Sequence, residues 1–235
     1  ACFLDLNEDL SGPLSGLNGR HPLPDPQLLA DKLGSLGVGS DTQVVAYDDS
    51  GGMFAARLWW LLRWLGHDRV AVLNGGFQAW LAGGHPLATD CREPVATTFM
   101  PKPRSSMRVD ANYVHSHLHS PSMLLIDARA PDRFRGENET LDPVGGHIPG
   151  AINRFFRDNL DANGCFKAAA QLQEEFGALI KGGDAHHVVH QCGSGVTACH
   201  NLLAMEVAGL SGARLYAGSW SEWCADPARP IATGQ

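Results

Sequence analysis

The chain has 235 residues, enough for two domains, and is 44% hydrophobic and 18% charged, as globular proteins are. Its formal charge of −7, with 18 basic against 25 acidic side chains and no basic stripe, excludes nucleic acid as a partner. No apolar run reaches the roughly 18–20 residues that cross a bilayer, and the longest, ARLWWLLRWLG (56–66), is interrupted by Arg57 and Arg63, so no membrane partner is expected.

From the N-terminus, ACFLDLNEDL (1–10) and the Pro- and Gly-bearing SGPLSGLNGRHPLP (11–24) precede an apolar run, VVAY (44–47). That run predicts a strand, followed by a Gly-rich turn, a helix, Gly66, a second strand VAVL (70–73) and a short Trp-containing helix. PLATDCREPVATTFMPKPRSSMRV (86–109) has four prolines and no period, and predicts an interdomain linker over 86–107. LLIDAR (124–129) predicts a further strand. VVHQ (188–191) then repeats the opening order: Gly-rich turn, helix, strand RLYA (214–217), short helix with tryptophans.

The repetition is literal. Residues 47–80 align with 190–223 without a gap: Gly52 meets Gly195, Ala55 meets Ala198, Gly66 meets Gly209, Gly75 meets Gly218 and Trp80 meets Trp223. ACFLDLNEDL (1–10) likewise resembles AINRFFRDNL (151–160). Two units of one α/β fold are expected, 1–85 and 108–235, each a mainly parallel sheet flanked by helices. The first unit begins at the equivalent of Ala151, so its domain is expected to be truncated at its N-terminus, as in a piece of a longer protein.

Cys2, Cys91, Cys165, Cys192, Cys199 and Cys224 include no CxxC pair, which argues against a disulfide scaffold and a structural zinc site. No secretory pattern opens the sequence, and a reducing, cytoplasmic setting is expected. His186, His187 and His190 cluster without the spacing of a metal motif, so no metal is expected.

HQCGSGVTACHN (190–201) carries the chemistry. A strand end, a Gly-rich turn and a helix start gather backbone N–H groups at one point, with the helix dipole adding positive potential. Gly193 and Gly195 allow close backbone approach. In that cradle the Cys192 thiol is expected to be ionised, accessible, and able to carry an anionic adduct among the amides of Gly193, Ser194, Gly195, Val196 and Thr197. The alternative is a buried structural cysteine beside a tight turn. Cysteine phosphatases place an arginine after five further residues to clamp phosphate, but here that position is Ala198. Phosphatase and arsenate reductase chemistry is disfavoured, and sulfur transfer through a persulfide remains.

CGSGVTA (192–198) resembles the active loop of the rhodanese superfamily, in its tandem-domain 3-mercaptopyruvate or thiosulfate sulfurtransferases. DARAPDRFRG (127–136), GHIPGA (146–151) and WSEW (220–223) support the resemblance, and 11–24 is similar to the first-domain segment that reaches the second-domain site. The resemblance implies two rhodanese-like domains with the active site in the second. Asp49 occupies the Cys192 position of an inactive first domain. It implies Arg133 as the donor-binding arginine, and His21 as a proton relay to Ser194. A surface histidine in a Pro-rich loop is the competing reading of His21. Arg129 is either a donor contact or an internal partner of Asp127 or a loop carbonyl, and Arg135 a third contact or a solvated side chain. The 3-mercaptopyruvate enzymes usually carry a second arginine before GHIPG, whereas TLDPVGG (140–146) has Asp142. The small, neutral Gly193 and Ser194 favour 3-mercaptopyruvate over thiosulfate. Acceptors would be a thiol, cyanide or thioredoxin, with no organic cofactor. His147, Trp220, Trp223 and Cys199 are expected to be structural, with walling the pocket the alternative for the two tryptophans and a resolving thiol the alternative for Cys199. A non-catalytic rhodanese-like binding module is the rival class.

Overall fold

Two equivalent helices, one from each half of the chain, meet at the centre of the molecule. The computed structural model describes residues 1–90 and 93–234, so Cys91 lies outside the described residues. In the first half, α1 (Pro26–Ser35) starts where Asp25 accepts from the amides of Gln27 and Leu28, with proline at the first helical position. Strand β1 (Val44–Ala46) pairs in parallel with β2 (Val70–Val72), connected through α2 (Met53–Trp64), and α3 (Gly76–Ala82) follows.

The second half carries five strands. These are β3 (Arg108–Val109), β4 (Leu124–Asp127), β5 (Ile152–Asn153), β6 (Val188–Gln191) and β7 (Arg214–Tyr216), in the order β3-β7-β6-β4-β5 with every pairing parallel. Helices α4 (Ala111–Ser116), α5 (Pro131–Arg135), α6 (Ala169–Ile180), α7 (Thr197–Val207) and α8 (Ser219–Trp223) flank them. The strands alternate their side chains between two cores. Leu125 and Val189 pack with Trp220 and Trp223, whereas Ile126 and Val188 pack with Leu172, Phe176 and Met205. β6 is buried along its whole length, as a central parallel strand covered on both faces should be.

Helices α2 and α7 are apolar around most of their circumference because each is enclosed by its own sheet and by the other. Their shared core joins Trp60, Leu61 and Leu62 to Ala198, Leu202 and Leu203. Polar contacts cross this junction in a reciprocal pair. Arg57 of α2 donates to the Gly195 carbonyl at 3.2 Å, and His200 of α7, the aligned position, reaches the Gly51 carbonyl at 3.1 Å. Each helix thus steadies the loop of the other unit.

The Pro-bearing connection is a strap rather than a free tether. Thr97, Lys102 and Arg104 donate their amides to the carbonyls of Gly34, Leu65 and Trp64, and Phe99 is buried in the central core. Proline density signals missing amides, but the remaining amides still find partners on the first unit.

Candidate active site

The end of β6 delivers Cys192 to the start of α7, and its sulfur accepts from the Gly195 amide at 3.1 Å. The amides of Thr197 and Ala198 lie in the first turn of α7, where a helix has no carbonyl of its own to offer them. The loop is pinned from behind by α8. Trp220 and Ser221 donate their amides to the carbonyls of Cys192 and Gly193 at 3.0 and 2.9 Å, and Ser219 Oγ accepts from the Cys192 amide at 3.1 Å. Gly195 has φ +77°, and a Cβ there would collide with the Ala217 carbonyl, so only glycine serves. The expectation of an accessible thiol needs correction: Cys192 is 2% exposed and belongs to the central core cluster with Leu10, Ala198 and Leu202. Val196 is buried, and Thr197 opens α7 partly buried.

The structure brings His21 to the loop from the other unit. Its Nδ1 lies 2.7 Å from Ser194 Oγ, and its Nε2 lies 3.2 Å from Asn7 Oδ1. An amide oxygen only accepts, so Nε2 carries the hydrogen and Nδ1 accepts from the serine hydroxyl. Burial, reinforced by the Arg57 and Arg20 charges, pushes the imidazole pKa down to about 4. His21 is therefore neutral near pH 7, the form a proton acceptor needs.

Arg133 sits beside the loop, with its guanidinium bonded to Glu139 at 2.7–3.1 Å and 3.5 Å from Asp142. Arg129 is an internal residue rather than a donor contact. It is almost fully buried, bonded to Asp127 at 2.7–3.1 Å and to the Gly146 carbonyl at 2.7 Å, and it lies over the Trp220 ring. Arg135 pairs with Glu137 at the surface. His147 stacks on Phe134 and bonds its carbonyl at 2.8 Å, while Trp220 and Trp223 are core residues bonded to the carbonyls of Val144 and Pro230. Cys199 is fully buried, burial pushes its pKa up to about 12, and its thiol donates to the Gly195 carbonyl at 3.3 Å; it is a packed, unreactive group. His190 is buried against Met205, and no cluster of metal-ligating side chains occurs among the described residues.

Two residues near the loop carry no local sequence signal. Arg20 reaches Gly193: a Cβ on that glycine would lie 2.9 Å from Arg20 Nη2 and 3.6 Å from both terminal nitrogens of Arg133. Arg57 is fully buried and donates to the carbonyls of Gly195, His21 and Leu10 at 3.2, 3.1 and 3.4 Å. Both arrive from the first unit by tertiary docking, which no motif around Cys192 encodes.

The corresponding loop of the first unit is closed on itself. Asp49 aligns with Cys192 and accepts from the Ser50 hydroxyl, but Asp48 fills the cradle. Its carboxylate accepts from the amides of Ser50, Gly52, Phe54 and Ala55 at 2.8–2.9 Å. The anion-holding amides exist in both units. In the first they already hold a carboxylate.

Known proteins place this geometry. The rhodanese-like domain model matches residues 15–83 and 110–226. The chain is 52% identical over 236 residues to a probable 3-mercaptopyruvate sulfurtransferase of Pseudomonas aeruginosa, covering 100% of this chain and 83% of that one. It is 37% identical over 230 residues to the thiosulfate sulfurtransferase of Bos taurus, covering 95% and 75%. The solved 3-mercaptopyruvate sulfurtransferase from Leishmania major superposes with a TM-score of 0.80 at 31% identity, covering 94% of this chain and 61% of that one, so the chain spans less than two thirds of that structure. Two matched regions, a cysteine-bearing loop in the second and a self-filled loop in the first share one explanation: the chain belongs to the rhodanese family, among its tandem-domain sulfurtransferases.

Proposed function

We propose that the chain moves a sulfane sulfur from 3-mercaptopyruvate to a thiol or cyanide through a persulfide on Cys192. The observation that carries this reading is the Gly195 amide, 3.1 Å from the Cys192 sulfur at the open first turn of α7. Amides so placed stabilise a thiolate and then the terminal sulfur of a persulfide. The second domain (108–235) is the catalytic one. The first (1–85) is inactive at its own loop and contributes His21, while 86–107 joins them.

In the donor step the Cys192 thiolate attacks the sulfur of 3-mercaptopyruvate. The S–S bond forms, the donor C–S bond breaks, and its electron pair stays on carbon. That carbon takes the proton the donor thiol gave up, so pyruvate leaves and Cys192 holds a persulfide anion. With thiosulfate the leaving group is sulfite and no proton moves. In the acceptor step a thiolate or cyanide attacks the outer sulfur and returns Cys192 as thiolate. Ser194, donating to neutral His21, passes the acceptor thiol's proton onward. Arg133 holds the donor's anionic end. A thioredoxin-type dithiol suits the acceptor role, and a reducing cytoplasm suits Cys2, Cys165, Cys192, Cys199 and Cys224, all of which are free thiols.

Small, neutral Gly193 and Ser194 favour 3-mercaptopyruvate over thiosulfate as donor. Measuring pyruvate and sulfite release side by side with one acceptor tests that order. The expected result is a kcat/KM at least about tenfold higher for 3-mercaptopyruvate, a difference of about 1.4 kcal/mol in the transition state. Equal or reversed values would make thiosulfate the donor. Release of neither product would favour a binding module.

A further inference from the structure

Arg20 stands beside the residue that follows the nucleophile, and it comes from the unit that has no nucleophile. Its position is set by its backbone. Gly19 has φ +81° and packs so closely on the Gly218 carbonyl that a Cβ there would lie 2.7 Å from it. The Arg20 amide donates to Ser221 Oγ at 3.0 Å, and the Ser221 amide in turn donates to the Gly193 carbonyl at 2.9 Å. One serine therefore registers Arg20 against the active loop.

The side chain enters a four-member charge cluster. Arg20 pairs through Nη1 with Asp142, and Arg133 pairs through Nε and Nη2 with Glu139 and through Nη2 with Asp142. Both carboxylates are buried, at 3% exposure each, whereas the Arg20 and Arg133 side chains remain 30% and 20% exposed. The carboxylates lie behind and the guanidiniums lie toward solvent. Among the nitrogens these bonds leave over, Arg20 Nη2 and Arg133 Nη1 face Gly193. Two guanidinium edges converging beside the nucleophile match the two oxygens of one carboxylate.

We propose that Arg20 binds the carboxylate of the 2-oxo acid sulfur donor jointly with Arg133, so that the donor site is completed across the junction between the two domains. Asp142 and Glu139 orient the two cations without covering the edges the donor uses. This inference rests on the sulfurtransferase reading and adds a donor-specificity residue to it.

Its test is the first half-reaction alone. Cys192 persulfide is followed by intact mass as 3-mercaptopyruvate is varied, in the wild type, Arg20→Gln, Arg20→Lys and Asp142→Asn. Arg20→Gln is expected to raise the half-loading concentration at least about tenfold. Arg20→Lys should lie between it and the wild type, since an ammonium keeps the charge but loses the fork. Discharge of persulfide already loaded at saturating donor should change less than about twofold, because the acceptor step does not use the carboxylate site. Asp142→Asn keeps the Arg20 guanidinium but removes the carboxylate that orients it, and should raise half-loading by clearly less than Arg20→Gln does. Wild-type half-loading in Arg20→Gln would overturn the proposal, and so would equal defects in Arg20→Gln and Asp142→Asn, which would mark the pair as structural. A wild type that gains no sulfur from any donor would instead remove the reading beneath it, and the proposal with it.

Discussion

At the scale of single residues, the candidate site keeps one ordinary group, the His21 imidazole, neutral well below its usual range. His21 is held neutral by burial and by the neighbouring Arg57 and Arg20, with a pKa down to about 4. The acid limb of the acceptor half-reaction is therefore expected near pH 4, since protonation there turns Nδ1 from acceptor to donor and breaks its bond from Ser194. A limb near 6.5, the value of a free histidine, would contradict this role. Ser194→Ala should slow transfer to a thiol by about 10–100-fold at pH 7. That defect should shrink as pH rises through the acceptor thiol's own pKa, because an ionised thiol needs no base; a pH-independent defect would mean the serine only shapes the loop. Cys192, Gly193, Ser194, Gly195 and Arg133 were legible in the sequence because each lies in a short contiguous motif. Arg20 and Arg57 were not, because their relation to Cys192 exists only after the two halves dock. Arg129 read ambiguously for a related reason: its Asp127 partner is local, but its burial is a tertiary fact.

At the scale of elements, the repeat is expressed as a handshake between α2 and α7. Arg57 is the expensive half of it, a fully buried guanidinium bonded to three carbonyls, with no carboxylate paired to it among the described residues. Truncation leaves Gly195, His21 and Leu10 without that donor and opens a cavity. Arg57→Ala is expected to lower unfolding stability by about 3 kcal/mol in urea denaturation; wild-type stability would show that the handshake is ornamental. The strands at 44, 70, 124, 188 and 214 were readable as apolar runs ending at turns. The two-residue β3 and β5 were not, since two residues carry no period. α6 hides for another reason: only Leu172 and Phe176 are buried, a stripe too thin to stand out. Helix α1 carries a local start signal in Asp25 and Pro26.

At the scale of the molecule, acid should loosen the junction. His200 donates from Nε2 to Gly51 of the first unit and accepts at Nδ1 from Asn159, an arrangement open only to the neutral ring. Burial depresses its pKa to about 4, and that of His190 to about 3. Both folded values lie below the unfolded value near 6.5, so the unfolded chain binds more protons between them. The contribution of these two rings is therefore constant above about pH 6.5 and falls as pH drops toward 4, with an uptake of about two protons on unfolding. Urea midpoints at pH 7.5, 5.5 and 4.5 should decline in that order, and a flat profile would contradict the assignment of neutral buried rings. The duplication was visible in aligned glycines, whereas the strap of 97–104 was not, because prolines in sequence look the same whether a connection hangs free or lies along a surface.

All three scales converge on one sulfur, that of Cys192, which accepts from the Gly195 amide. Intact mass of the wild type and of Cys192→Ser after incubation with 3-mercaptopyruvate tests this most directly. The wild type should gain one sulfur atom and lose it on adding cyanide, and Cys192→Ser should gain none. An equal gain in both proteins, or none in the wild type, would place the chemistry elsewhere.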